Sequence, residues 1–594
     1  MPQITLLTPI FNIVLSKKGK IYLAIQQILT KSSTMIRGAD IVVRSLIAEN
    51  AEYIFGYPGG AIMPVYDALY DYADQVKHVL TRHEQGAIHA AQGYARVSGK
   101  VGVALATSGP GATNLITGLA DALIDSTPLV CITGQVAAHL LGTDAFQETD
   151  MVGLSMPGTK WNIQVRTVEE IAPAIAKGFH IARSGRPGPV LIDITKNAQV
   201  EFGDFNYVPC LGIRSYRPYI NVELPKIQEA ATLIDEAKRP YVLFGQGVVI
   251  GKAEKELKEF LDKTGIPAAS TLLGSGSLPE SHPSYVGKLG MHGNYAPNML
   301  TNKCDVLIAI GMRFDDRVTG DLKRYAKQAK VIHLELDPAE IDKNVKCTVP
   351  ILGDCKQSLA MLTEAVKPNS HPEWMQRFRE FENEEREAVM GKDLYATQGG
   401  LHMGEVIRLI NQFKEDNAVL VTDVGQHQMI AWRYFDYKIT RTQVTSGGLG
   451  TMGFALPAAL GAQLHDYNRQ VICVVGDGGI QMTIQELGTI MQTKAPVKVV
   501  LLNNNYLGMV RQWQQMFFDK RYSFTELENP DFIKIAEAYN IKAVKVTERD
   551  ELSEAVAQMF IHDGPFFLEV VVEKEDNVFP MIATGCSVEE VRLS

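Results

Sequence analysis

Cysteine is scarce in this chain: Cys131, Cys210, Cys304, Cys347, Cys355, Cys473 and Cys586 are seven in 594 residues, scattered, with no CxxC pair. That excludes a disulfide-framed scaffold and a paired-thiol metal or redox site, and it implies a reducing compartment. Long hydrophobic runs are missing too. The longest apolar-looking stretch, Leu115 to Leu141, is broken by Asp121 and Asp125, so nothing approaches the roughly 18 uninterrupted apolar residues of a spanning helix, and no membrane association is expected. Excess positive charge is absent: 58 Lys plus Arg face 67 Asp plus Glu, a net charge of −9. A nucleic-acid partner, which needs a basic face, is therefore not expected. What the chain does have is 46% hydrophobic and 21% charged residues, the balance of a globular chain with a large core, in a length that suits about two to four domains.

The first residues differ from the rest, with Lys17, Lys18, Lys20 and Lys31 and no acid before Asp40. The apolar Ile4 to Leu15 stretch precedes these lysines instead of following them, and no small-residue cleavage site is evident. Residues 1–35 are accordingly read as an N-terminal extension, with an organellar transit peptide as the alternative. A cytoplasmic location is expected, organellar import following only from that alternative.

From Ile36 onward short β-rich runs alternate with amphipathic segments, the pattern of parallel sheets covered by helices on both faces. It occurs three times. Val101 to Thr107, Leu129 to Thr133 and Val190 to Ile194 mark the first block, and Tyr241 to Gly245, Val306 to Gly311 and Val331 to Leu336 the second. Val419 to Thr422, Val471 to Val475, Val497 to Leu502 and Phe566 to Val572 mark the third. The fold class is α/β, with three doubly wound parallel-sheet domains over residues 36–200, 220–370 and 390–594. Asn197 to Leu224 and Lys367 to Gly400 read as linkers, though the charged Arg377 to Arg386 stretch could form a solvated helix instead.

Chemistry concentrates in the third block. The run Val471 to Val475 ends in Gly476-Asp477-Gly478-Gly479, after which Ile484, Leu487, Ile490 and Met491 recur at helical spacing. A glycine turn between strand and helix lets backbone amides meet an anion, and a carboxylate at the strand end is placed to hold a divalent cation. The next run ends in Asn503-Asn504-Asn505, and adjacent parallel strands would bring Asp477 and Asn504 to one sheet edge. One carboxylate and one amide oxygen are an incomplete set for magnesium, which takes its remaining ligands from water and phosphates, so the pair implies a bound diphosphate. An ordinary βα turn is the plainer reading.

Gly476-Asp477-Gly478 followed 27 positions after the aspartate by Asn504 resembles the thiamine diphosphate-binding motif. That resemblance implies a magnesium ion held by Asp477, Asn504 and the main-chain carbonyl of Tyr506. The cofactor's C2 proton is too weakly acidic to leave unaided, so a carboxylate at the aminopyrimidine is required as the start of a proton relay. Glu84, in Thr81-Arg82-His83-Glu84-Gln85-Gly86, opens a helix with Ala87, Ile88, Ala91 and Ala95 on one face. Read alone, it is a carboxylate stabilised by a helix dipole. Around it, Phe55 to Gly60, Ser108 to Asn114 and Asp144 to Glu148 are similar to stretches of acetohydroxyacid synthase (acetolactate synthase) catalytic subunits, and the likeness runs from about Ile36 to the C-terminus.

The resemblance implies a pyrimidine-binding domain over 36–200 carrying Glu84, a central FAD-binding domain over 220–370, and a diphosphate- and metal-binding domain over 390–594. It implies that Gly60 and Gln147 lie near the cofactor, Gln426 and His427 at the diphosphate with Gly476, Gly478 and Gly479, and Gly450 and Met452 at the pyrimidine. Met509 would support the bent cofactor. Met452 and Met509 read equally well as core gap-fillers. In the middle block Gly245-Gln246-Gly247, Gly290 to Gly293 and Gly311 to Arg317 resemble the FAD segments of the biosynthetic enzymes, with Arg186, Gly245, Met291, His292, Arg313 and Asp354 as implied contacts. Without the family, Gly245-Gln246-Gly247 is a dinucleotide fingerprint lacking its third glycine. Arg313 to Arg317 is then only an ion-pair cluster.

For substrate, Arg317 suits a 2-keto acid carboxylate through paired hydrogen bonds, and Trp513 suits an apolar wall that measures the alkyl group, which the resemblance implies favours 2-ketobutyrate over pyruvate as acceptor. A buried core tryptophan is the alternative for Trp513. The family further implies a homodimer or homotetramer with active sites across the dimer interface, and a separate small regulatory subunit. A pyruvate oxidase, sharing thiamine, FAD and three domains, is the rival activity, and a noncatalytic paralogue the rival outside enzymes. Three departures from the family pattern are Ile194-Thr195-Lys196-Asn197, Met156 where an arginine is common, and the tail Met581 to Cys586. They touch the substrate channel and the C-terminal lid, not the catalytic groups.

Overall fold

The computed structural model describes residues 35–594, and the readings made for the N-terminal extension fall on residues 1–34, outside the described residues. The first sheet contains β1 (Tyr53–Gly56), β2 (Lys77–Leu80), β3 (Gly102–Ala106), β4 (Leu129–Gln135), β5 (Trp161–Val165) and β6 (Pro189–Thr195). The second contains β7 (Pro240–Phe244), β8 (Ala268–Ser270), β9 (Tyr285–Lys288), β10 (Val306–Ile310), β11 (Lys330–Glu335) and β12 (Val349–Leu352). The third contains β13 (Val419–Thr422), β14 (Gln443–Thr445), β15 (Val471–Gly476), β16 (Lys498–Asn503), β17 (Lys542–Val546) and β18 (Phe566–Val571). Every pairing within the three is parallel. β3, β4, β6, β7, β10, β13, β15 and β16 are buried along their whole length. Their sequences are accordingly apolar over most of their length, without alternation.

The outer sheets share one strand order, β2-β1-β3-β4-β6-β5 and β14-β13-β15-β16-β18-β17, while the middle one runs β9-β8-β7-β10-β11-β12. In each sheet the chain first runs to one edge and then returns to build outward on the other side, so the strand order switches between β1 and β3, between β7 and β10, and between β13 and β15. Loops leaving the carboxyl ends of those strand pairs diverge to opposite faces and open a crevice where ligands of doubly wound sheets sit. In each case the glycine-bearing segments singled out in the sequence are the loops that flank the crevice.

The first and third domains are joined by α1 (Glu84–Ser98) against α2 (Ala455–His465). A Cβ added at Gly93 would lie 1.9 Å from the Ala458 carbonyl oxygen, and one at Gly461 1.8 Å from that of Ala90. Only hydrogen fits at either crossing point, and the alanines beside them let the two backbones touch. One continuous apolar core runs through this contact, from Phe55 and Leu115 of the first domain to Val419 and Leu501 of the third, whereas the middle domain has cores of its own.

The segment Lys367 to Gly400 is largely helical. Pro372–Glu385 continues through a wider turn at Arg386–Met390 into Gly391–Leu394. It is not solvated all round, because Trp374, Phe378 and Glu385 turn inward. Among the described residues, no helix is long and apolar enough to cross a membrane.

Candidate active site

At the third sheet's crevice, β15 runs directly into a short helical turn, Asp477–Gln481, and the 3-10 turn Ile484–Glu486 separates it from Leu487–Thr493. The sequence pattern suggested a glycine turn and then a helix through Ile484 and Met491; the glycines instead open a helical turn of their own. Two glycines at its start lower helix propensity, and Gly479 lies where an added Cβ would be 2.0 Å from Asp423 Oδ2. Parallel register pairs Gly476 with Leu502, which puts Asp477 and the asparagines after β16 at one carboxyl edge. Asp477 is 2% exposed, and burial pushes its carboxyl up to about 6 against the pull of a hydrogen bond from Asn529. Asn529 Nδ2 donates to Asp477 Oδ2 at 2.7 Å and to Asn503 Oδ1 at 3.0 Å. Asn504 Oδ1 accepts from the Tyr506 amide at 3.1 Å. Asn505 turns the chain with φ of 59°.

A desolvated carboxylate beside an amide oxygen and an adjacent main-chain carbonyl is a hard-oxygen donor set, and a divalent cation would remove the charge penalty that burial imposes on Asp477. Among the described residues no cluster of three or more His, Cys, Asp and Glu forms a metal cage. The set therefore fits magnesium that takes its other ligands from water and a diphosphate.

Gln426 and His427 start the helix Gln426–Tyr434 after β13. Gln426 Nε2 donates to Gln512 Oε1 and to the Asp576 carbonyl, both at 3.0 Å, and Gln426 Oε1 accepts from Asn504 Nδ2 at 3.4 Å. The His427 ring bonds to Asp423 and fills the space a Cβ at Gly476 would occupy, 2.8 Å from Nδ1. Asp423 Oδ2 also accepts from the Gly453 amide at 2.9 Å. Gly476 and Gly479 are thus glycines because His427 and Asp423 pack onto them, and Gly478 has the Met452 methyl 3.6 Å from an added Cβ.

In the first domain Glu84 opens α1, is 8% exposed, and accepts from Asn114 Nδ2 at 3.0 Å. Its carboxylate lies 3.0 Å from an added Cβ at Gly111, so the loop after β3 closes over it. Gln147, with φ of 61°, backs the same loop at Gly109. Gly60 faces open space. The hydrogen bonds of Glu84 stay in the first domain and those of Asp477 in the third, and the structure does not join them. Exposed apolar side chains occur in the same domains: Tyr57, Met63 and Phe146 in the first, Leu449, Met482 and Phe524 in the third.

A cavity of about 680 Å³ runs where all three domains meet, within the range of about 300 to 1,000 Å³ of small-molecule sites. Arg186, Met291, His292, Arg313, Arg317, Asp354, Gly450, Met509 and Trp513 line it. Gly245 stands behind the wall: its added Cβ would lie 2.7 Å from the Gly311 carbonyl, and one at Gly247 2.5 Å from Gly311 Cα. Two strand-end loops can touch there only as bare backbone. Arg186 is held by Asp337 at 3.1 Å and Glu340 at 2.9 Å. Asp354 caps the helix Cys355–Ala365, accepting from Lys356 and Gln357 amides. Burial and the nearby Arg433 charge push the His292 imidazole down to about 3, so it stays neutral.

Arg317 is 60% exposed at the cavity mouth, its Nη1 3.2 Å from Met291 Sδ, and its charge faces solvent. Trp513 lies on the helix Gly508–Phe517, half-buried on the cavity wall and tilted against Phe517 at 5.0 Å, not in the core. Met509 packs on the third-domain core and lines the cavity. Two residues of this region went unread in the sequence. Asp423 follows β13 as Asp477 follows β15, a strand-end carboxylate before glycine that could have been found. Asn529 carried no local signal, since its three asparagine and aspartate partners come from distant loops.

The three domains match known families in the same order. Residues 36–154 match the N-terminal TPP binding domain of thiamine pyrophosphate enzymes, 227–362 their central domain and 423–570 their C-terminal TPP binding domain. The chain is a member of the thiamine pyrophosphate enzymes. It is 45% identical over 559 residues to the acetolactate synthase isozyme 2 large subunit of Escherichia coli, covering 94% of this chain and 99% of that one. It is 45% identical to the acetolactate synthase large subunit of Corynebacterium glutamicum, over 93% and 90% of the two chains, and 43% identical to a probable acetolactate synthase large subunit of Methanocaldococcus jannaschii, over 93% and 94%. Within its class the chain therefore belongs to the acetolactate synthase large-subunit family.

Proposed function

We propose that this chain is the catalytic subunit of an acetolactate synthase, which decarboxylates pyruvate and joins the remaining two-carbon unit to a second pyruvate, giving 2-acetolactate, or to 2-ketobutyrate, giving 2-aceto-2-hydroxybutyrate. These are the branched carbon skeletons from which valine, leucine and isoleucine are built. The observation that carries the reading is the pairing of Asp477 and Asn504 at the third sheet's crevice, next to the cavity that Arg317 and Trp513 line.

Thiamine diphosphate, when bound, supplies the electron sink that lets a 2-keto acid lose carbon dioxide and pass on what is left. Asp477, Asn504 and the Tyr506 carbonyl would hold magnesium against its diphosphate. Glu84, held by Asn114 and shielded from water, would keep a proton at the pyrimidine ring nitrogen. Arg317 would orient the acceptor carboxylate, and Trp513 would measure its alkyl group. Arg186, Gly245, Met291, His292, Arg313 and Asp354 fit FAD in or behind the wall of the cavity. The overall reaction moves no electrons, so FAD there would be structural.

Glu84 and Asp477 share no hydrogen-bond partner within one chain, and both domains carry exposed apolar side chains. That supports a homodimer, or a tetramer of dimers, in which each site takes its glutamate from one protomer and its metal from the other. The names of the relatives, all large subunits, support pairing with a small regulatory subunit.

The test is anaerobic incubation with pyruvate, thiamine diphosphate, magnesium and FAD, assaying acetolactate while following flavin absorbance. Acetolactate with unbleached flavin is expected, 2-ketobutyrate being preferred when added. Bleached flavin with acetate or acetyl phosphate would make the chain a pyruvate oxidase. Glu84→Gln should abolish turnover while retaining cofactor, and an unchanged rate would overturn the role of Glu84.

A further inference from the structure

The first domain sends three charged side chains into the third. Arg96 of α1 pairs with Asp125 at 2.8 Å and lies 3.8 Å from Asp121, all three nearly inaccessible. Arg96 Nη1 also donates to the Thr445 carbonyl, at the end of β14. The two carboxylates exceed the one guanidinium, and the surplus charge is met by the loop that follows β14. Asp125 accepts the Gly447 and Gly448 amides, each at 2.8 Å. Asp121 accepts the Ser446 hydroxyl and, at 3.0 Å, the Thr451 hydroxyl, and the Ser446 oxygen in turn accepts the Thr451 amide at 2.8 Å. Asp423 holds the Gly453 amide beyond.

Between Ser446 and Gly453 the residues without such a bond are Leu449, Gly450 and Met452. Leu449 and Gly450 are the ones left outward, on the cavity wall, with Gly450 at φ of 75°. A buried charge cluster is a poor way to gain stability, since an apolar substitute of the same shape does as well or better. It is a good way to fix one conformation of a glycine-rich loop, because both Asp125 oxygens and Asp121 Oδ1 each specify particular amides or hydroxyls.

We infer that Asp121, Asp125 and Arg96 are positioning residues: from the first domain they set the main chain of Leu449, Gly450 and Thr451 against the pyrimidine end of the bound cofactor. The inference rests on the proposed thiamine diphosphate site. It separates the cofactor's two ends by source, the diphosphate end being held by Asp477 and Asn504 within the third domain and the pyrimidine loop being shaped from outside it.

That separation supplies the experiment. Dissociation constants for thiamine diphosphate and for magnesium pyrophosphate are measured on the full chain with FAD, by quenching of tryptophan fluorescence, for wild type, Asp125→Asn and Thr451→Val. Loss of a buried charged hydrogen bond predicts thiamine diphosphate binding weaker by about tenfold in Asp125→Asn and less in Thr451→Val. Magnesium pyrophosphate should bind all three alike. Unchanged thiamine diphosphate affinity in both variants, or parallel weakening of both ligands, overturns the inference. Should Asp125→Asn fail to fold, Thr451→Val, which keeps the side-chain shape, decides by the same two constants. A wild type that binds neither ligand removes the site reading itself, an outcome distinct from the other two.

Discussion

His89 shows how burial sets chemistry at a single residue. It lies on α1, fully buried, with Nε2 unpartnered and its ring edge-on to Phe454 at 5.2 Å. Burial, with a smaller push from Arg96, holds its imidazole down to about 3, while in an unfolded chain it titrates near 6.5. Below pH 6.5 the unfolded state binds a proton that the native state refuses, so the stability this group contributes is present above 6.5 and lost as pH falls towards 3. Replacing it isolates the effect from the many other groups. Wild type should lose stability relative to His89→Gln by about 1.4 kcal/mol per pH unit between pH 6 and 4, read from urea midpoints, and parallel curves would show that the ring is protonated in place. Residues of this kind are half legible: Asp477 and Asn504 were visible in the sequence because their spacing is local to two adjacent strands. The functions of Asp121, Asp125 and Asn529 were not, because each depends on partners brought from another domain or loop.

Among the elements, the crossing of α1 and α2 is the tightest joint between domains. Gly461→Val would place atoms inside the Ala90 carbonyl, 1.8 Å from the Cβ position. Neither backbone can yield without moving a whole helix. A loss of about 3 kcal/mol or more is expected, together with weaker packing of the first domain on the third. Limited proteolysis between the domains checks it, and wild-type resistance in the variant would mean that the helices slide freely. The strands themselves were the most legible level, since two-sided burial writes them as unbroken apolar runs such as Val471 to Val475. The helix after Asp477 was less so: the spacing of Ile484, Leu487, Ile490 and Met491 pointed to one helix, and the chain instead turns at Met482 and Thr483 and enters it through a 3-10 turn, Ile484–Glu486. The charged stretch Arg377 to Arg386 hid a buried face because Glu385 pairs with Arg433, at 2.5 Å and almost without exposure on either side. Composition reads such a pair as solvated surface.

At the scale of the molecule, Glu84 and Asp477 stand in different domains with no shared hydrogen bond, and the proposed site completed by two protomers makes activity depend on chain concentration. Serial dilution at saturating cofactors is expected to lower specific activity as the measured mass halves. Constant specific activity through that halving would place both halves within one protomer. The order of domains was plain from three repeats of one pattern, whereas the mating of first with third, bypassing the middle, was not. It is written in two glycines and a few alanines that look like ordinary helix residues.

That mating has a consequence for how the chain is made. Domains of large proteins tend to fold as they leave the ribosome, the N-terminal one first. Here α1 is complete before the middle domain has been translated, yet its counterpart α2 is synthesised only after the middle domain has emerged. For that interval the newborn first domain displays the alanine-lined face of Gly93, together with the carboxylates of Asp121 and Asp125, to whatever surrounds it. The middle domain therefore also sets a delay during synthesis, through which that face of the first domain waits for the third domain that covers it.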